Sequence, residues 1–142
     1  MASLPSRTLA NLKASHGFDS QATRMWEYFA RIAEHEGFGE VANLFRQLSE
    51  TQAICADGHL DFLMAGRDPL SGTAVGDTRS NLRAAVAVEL RDVEASLNDM
   101  AQTARAEGAW DVASWFDTVA HHRRAQAERL AAALDTLQTA QR

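Results

Sequence analysis

Cys55 and His59 stand four residues apart in Cys55-Ala56-Asp57-Gly58-His59. On a helix that spacing lets both side chains face one direction, and a thiolate with an imidazole suits zinc or copper. As a nucleophile, the thiol would need a neighbouring base and a cleft, so it is expected instead to be a buried, inert core group. His121-His122 followed by Arg123-Arg124 gathers imidazoles and guanidinium groups. Adjacent helical residues point about 100° apart, so those two histidines cannot chelate one ion together, and a solvated face is expected. Glu34-His35-Glu36 falls at the end of a helical pattern, where solvent is the expected environment. Trp26, Trp110 and Trp115 fit core or subunit-contact positions better than a cofactor box.

These residues have to be positioned by helices. Apolar side chains recur every three or four positions in four segments. The first spans about Ser6 to Glu36 and carries Leu9, Leu12, Phe18, Ala22, Trp26, Phe29 and Ala33. Ser6 is the expected N-cap and Gly37 the C-terminal stop. The second runs from about Gly39 to Met64, with Val41, Leu44, Phe45, Leu48, Cys55 and Phe62 on its pattern. The third covers about Thr78 to Glu107 and the fourth about Ala109 to Leu137, separated by Gly108. Ala65 to Asp77 is rich in helix breakers and reads as a linker.

An internal repeat organises the four segments into two halves. Asn11-Leu12-Lys13-Ala14 returns as Asn81-Leu82-Arg83-Ala84 at an offset of 70. Glu36-Gly37, Val41-Ala42 and Phe45 return as Glu107-Gly108, Val112-Ala113 and Phe116 at an offset of 71. The extra residue falls inside the third helix, where one added residue makes a π-bulge, a feature that often sits at functional sites. The glycine turns make each half an antiparallel helix pair. If a pseudo-two-fold relates the halves, the linker must run the length of a bundle of about 28-residue helices, some 42 Å at 1.5 Å per residue. Its 13 or so residues reach roughly 43–47 Å when extended. So taut a crossover makes exchange of halves between two chains an expectation.

Composition narrows the class further. The 142 residues suffice for one continuous core, and 46% hydrophobic residues with only two prolines favour helices. Net charge is −5 with acids and bases interspersed, and no basic stripe offers itself to nucleic acid. No stretch approaches the ~20 apolar residues of a membrane span, and Met1 to Lys13 lacks a signal-peptide core. One cysteine excludes an internal disulfide and any four-cysteine metal site within the chain. The expected compartment is the cytoplasm.

The motifs now point to a family. Asp19-Ser20-Gln21-Ala22, Tyr28-Phe29-Ala30, Glu36-Gly37, Val41-Ala42 and Leu44-Phe45 resemble rubrerythrin, of the ferritin-like superfamily. So do Ala84-Ala85-Val86-Ala87, Glu89, Glu107-Gly108, Val112-Ala113 and Phe116 in the second half. The resemblance implies an all-α ferritin-like four-helix bundle, two helical hairpins joined by a long crossover. It would form a single domain over 1–142, with halves at about 6–65 and 78–139. It also implies a di-iron site: one Glu from each of two helices, and Glu-x-x-His from each of the other two. Rubrerythrin adds one further Glu on the third helix.

Carried over by position, that ligand set is largely lost. The first-helix Glu becomes Asp19, and the second-helix Glu-x-x-His becomes Gln52 and Cys55. The third helix keeps Glu89 and has Asp92 for the extra Glu, while the fourth has Arg123 and Gln126. Arg123 stays protonated at any ordinary pH, repels a metal ion and attracts acids, so an ion-pair and amide network with Asp19, Glu89 or Asp92 is expected. Three acids against one cation leave negative charge in excess, so one acid is expected to be protonated or to face water. No Cys-x-x-Cys pair occurs, and the rubredoxin module of full-length rubrerythrins is not expected in this sequence.

The function expected from this reading is a degenerate rubrerythrin-like protein, non-catalytic and dimeric, binding or structural, with no catalytic or cofactor-binding residues. The alternative is a metal-binding protein or a peroxide- or oxygen-related oxidoreductase. It would hold a single iron, zinc or copper ion with Asp19, Glu89 and Asp92, helped by Cys55 or His59. A working di-iron peroxide reductase ranks last.

Overall fold

The computed structural model describes residues 4–64 and 75–140, all of their regular structure helical. The chain divides into two compact units, Met1–Pro69 and Leu70–Arg142, each built around one helical hairpin. The proposed crossover at Ala65–Asp77 lies, apart from its last residues, outside the described residues.

The first hairpin pairs α1 (Ser6–His35) with α2 (Gly39–Leu63). Ser6 is not the cap: Pro5 holds that place in an extended conformation, and its carbonyl accepts from the Leu9 amide at 2.9 Å. Proline's fixed φ suits a helix entry, so Ser6 becomes the first helical residue and its hydroxyl caps nothing. At the other end Gly37 takes φ +90°, the Gly37 amide donates to Glu34 O at 3.1 Å, and the Phe38 amide donates to Ala33 O at 2.8 Å. This is a Schellman stop, and the left-handed residue in it favours glycine.

Most of the buried positions of this hairpin are small: Ala22, Ala30 and Ala33 on α1, and Ala42, Ser49 and Ala56 on α2. On α2 the buried residues Ala42, Ser49, Ala56 and Leu63 follow a seven-residue interval, the spacing that keeps one seam facing a partner helix. Trp26, Phe29 and Phe45 cluster beside the seam, with ring centroids 5.6–6.1 Å apart.

The second hairpin repeats this plan. Its ascending arm is α3 (Thr78–Asp92), a π-helical turn (Val93–Leu97) and α4 (Asn98–Ala106), and α5 (Trp110–Ala140) returns. Asp77 caps α3, its carboxylate accepting from the Ser80 amide at 2.9 Å. Gly108 takes φ +80° and reproduces the Gly37 stop bond for bond, Gly108 N to Arg105 O and Ala109 N to Ala104 O. The added residue expected in the third helix is the π turn, where the Asn98 amide reaches back five residues to Val93 O. Val93 and Leu97 of that turn pack with Ala120, Phe116 and Val119. The buried Ala113, Ala120 and Ala127 of α5 stand 71 residues after Ala42, Ser49 and Ala56, so the repeat extends to the packing seam.

Candidate functional site

In the first hairpin, the seam closes over a polar cluster one third of the way along α1. Asp19 is buried, and its two carboxylate oxygens are separately engaged. Gln52 Nε2 donates to Asp19 Oδ1 at 2.8 Å, and His59 Nε2 lies 2.8 Å from Asp19 Oδ2. Ser15 Oγ lies 2.9 Å from that same His59 nitrogen. Two of the side chains come from α1 four residues apart, hence on one face, and two from the facing side of α2. Ser, His and Asp together suggest a hydrolytic triad, but such a triad needs the hydroxyl and the carboxylate on opposite imidazole nitrogens. Here both meet Nε2. Nearby, His16 Nδ1 lies 3.3 Å from Ala56 O, and the Ser49 hydroxyl donates to Thr23 O at 3.0 Å.

In the second hairpin, Arg123 of α5 sits against two acids of α3. Its Nη1 lies 3.2 Å from Asp92 Oδ2 and 3.6 Å from Glu89 Oε2. Glu89 is the more deeply placed acid, and its buried Oε2 has the guanidinium as charge partner but no hydrogen bond. The π turn begins at the residue after Asp92. One extra residue rotates the part of the helix before it by about 100° relative to the part after it. The turn therefore aligns Glu89 and Asp92 with Arg123 while Ala101 and Ala104 stay on the buried seam.

The expected site residues thus fall into two sets. Asp19, Gln52 and His59 come together in the first hairpin, and Glu89, Asp92 and Arg123 in the second. The amide and ion-pair network expected for Arg123 is made with Glu89 and Asp92, while Asp19 takes Gln52 and His59. Cys55 corrects an expectation. It is exposed, not a core thiol, and His59 turns to Ser15 and Asp19. Gln126 is exposed on α5. Trp110 and Trp115 are 65% and 62% exposed, so of the two environments expected for them the core is excluded. His121 and His122 are exposed, and Glu34 pairs with Arg46 at the surface. Ser15 was not singled out from the sequence. Its signal was there: Ser15 and His59 lie equally far before and after Gly37, so a hairpin folded at that glycine sets them opposite each other.

A family model for rubrerythrin matches residues 10–134. Rubrerythrin-1 of Clostridium acetobutylicum is 30% identical over 122 residues, covering 80% of this chain and 63% of the relative. Rubrerythrin of Porphyromonas gingivalis is 29% identical over 119 residues, covering 81% and 60%. Rubrerythrin of Nitratidesulfovibrio vulgaris is 27% identical over 119 residues, covering 81% and 62%. The chain thus spans somewhat under two thirds of the length of these curated relatives. Its fold class is the all-α, ferritin-like four-helix bundle. It belongs to the rubrerythrin family.

The residues present do not fit that family's di-iron centre. Neutral amides stand at Gln52 and Gln126 where carboxylate and imidazole are wanted, and a permanent cation stands at Arg123. Among the described residues, no group of three or more His, Cys, Asp or Glu side chains is arranged to hold a metal ion. The di-iron ligand set is degenerate.

Proposed function

We propose that this protein is a non-catalytic member of its family, a binding or structural dimer in which side-chain networks have replaced the metal ions. One observation carries the reading: the Arg123 guanidinium lies against Glu89 and Asp92, the acids that the family resemblance assigns to metal. A cation fixed in the fold offsets part of the charge of those acids without an exchangeable ion, and its repulsion opposes a divalent one.

Dimerisation is supported by apolar residues that each hairpin leaves at its surface. In the first, Phe18, Val41, Leu44, Leu48 and Phe62 are all more than 40% exposed. By the helical period Phe18, Val41, Leu48 and Phe62 lie about a quarter turn from the buried seam, on the same side as the Trp26–Phe29–Phe45 cluster, and Leu44 lies further round. Several large apolar side chains left exposed on one hairpin support an interface. In our reading a second copy covers it, with the hairpins exchanged between the chains, in one domain per pair of halves.

The test is ferrous iron added to the purified protein without oxygen, then exposure to air, with near-ultraviolet absorption and elemental analysis as readouts. The expected result is no oxo-bridged chromophore and no stoichiometric iron. Two irons per chain with that chromophore would overturn the reading. It would restore the peroxide-reducing chemistry that ranked last.

A further inference from the structure

Each hairpin is unevenly charged along its first arm, which is α1 in one and α3 through α4 in the other. Met1 to Phe18 contains Arg7 and Lys13 and no acid. At the repeat-related place, Thr78 to Val88 contains Arg79 and Arg83 and no acid. Acids gather instead about the glycine turns, Glu34, Glu36 and Glu40 at the first and Asp99, Glu107 and Asp111 at the second. Arg105, the cation beside the second turn, is engaged by Asp117. Asp99 and Glu107 are exposed and have no ion-pair partner among the described residues, and the same holds for Arg7.

Asp99 and Glu107 rim a notch of about 350 Å³ whose apolar lining includes Met100, Ala109 and Val112. The repeat accounts for it: Thr103 and Ala109 stand where the first hairpin has the larger Ile32 and Phe38. We infer that in the dimer proposed above the first arms run antiparallel, the acid-free start of α1 from one copy lying over the acid-rimmed notch of the other. Arg7 is the charged contact. By the helical period it falls in line with Phe18, Met25 and Ile32, all exposed on α1. Its guanidinium goes to Asp99 and Glu107, and Leu4, 38% exposed and three residues earlier, is the apolar anchor for the notch. A parallel arrangement would set the basic start of α1 against the basic start of α3 and one acidic turn against the other. Like charges brought together in that way disfavour the wrong pairing. The inference rests on the dimer reading and adds its polarity.

The test uses the full chain with Cys55→Ser as background, so that only introduced thiols can link. Arg7→Cys combined with Asp99→Cys should give a covalent dimer on mild oxidation by a small disulfide, seen as doubled mass on a denaturing gel. Arg7→Cys alone should stay unlinked. In the otherwise unaltered chain, Arg7→Glu should raise the dimer dissociation constant about tenfold, because two exposed pairs turn from attraction to repulsion. Adding Asp99→Arg and Glu107→Arg to Arg7→Glu should recover the affinity, with far-ultraviolet dichroism monitoring the fold of each variant. No link in the double-cysteine chain, a link only within single chains, ready linkage by Arg7→Cys alone, or indifference to Arg7→Glu would each overturn the inference and leave the dimer standing. A chain that sediments as a monomer would remove both.

Discussion

Arg123 keeps its charge at any ordinary pH, and the acids it meets are held without the release and rebinding that a metal ion permits. Removing the guanidinium alone would leave Glu89 and Asp92 mutually repelling, with Glu89 partly buried, so a single substitution should destabilise the hairpin without creating a metal site. Iron needs the whole donor set. Arg123→Glu with Gln126→His, Gln52→Glu and Cys55→His supplies the missing carboxylates and imidazoles at the positions given by the family pattern. We expect the fourfold variant to bind iron stoichiometrically and Arg123→Glu alone to bind none, read by elemental analysis after ferrous loading. Iron in the single variant would show that the amides and thiol were never the obstacle.

At the scale of elements, the repeat was readable because glycine marks the turns and small residues mark the seam. Gly37 and Gly108 adopt the same left-handed stop, and the one-residue change of offset between the halves appears as the π turn. Other features were hidden by geometry finer than the helical period. Cys55 and His59 differ by about 40° around α2, enough to leave one at the surface and bring the other to Asp19 once Ala56 is seated. Ser6 lost the cap to Pro5 because both residues suit a helix entry. Asp77 does cap, and the Ser80 amide and hydroxyl hold its carboxyl below its ordinary value. A lowered carboxyl pKa stabilises α3 above the unfolded value of about 3.9, and the benefit disappears as pH falls through the folded value. Hydrogen exchange at the Ser80 amide should therefore accelerate on acidification below about pH 3.9 relative to Asp77→Asn, whose amide caps without titrating. Equal pH profiles for the two proteins would remove the ionised cap from the account.

For the whole molecule the decisive quantity is what covers the apolar side of each hairpin. Leu44 is 52% exposed and its counterpart 71 residues on, Trp115, is 62% exposed. If the chain worked alone, a charge at either place would meet water, and its effect would stay within about 0.5 kcal/mol. If a second copy packs there, the same charge is buried without a partner and costs several times more. The two cases are separable without knowing the interface. We expect the unaltered protein to sediment as a dimer whose melting temperature rises with concentration, because association stabilises the folded chain by mass action. Leu44→Glu and Trp115→Glu should each shift it towards monomer and remove that concentration dependence. Exchanged hairpins add a kinetic signature, since chains that hold one another's halves must partly unfold to part. Mixing two differently labelled dimers should give mixed dimers only slowly, and faster in mild denaturant. A monomer whose melting is indifferent to concentration and to both glutamates would place the apolar residues in service of some other partner.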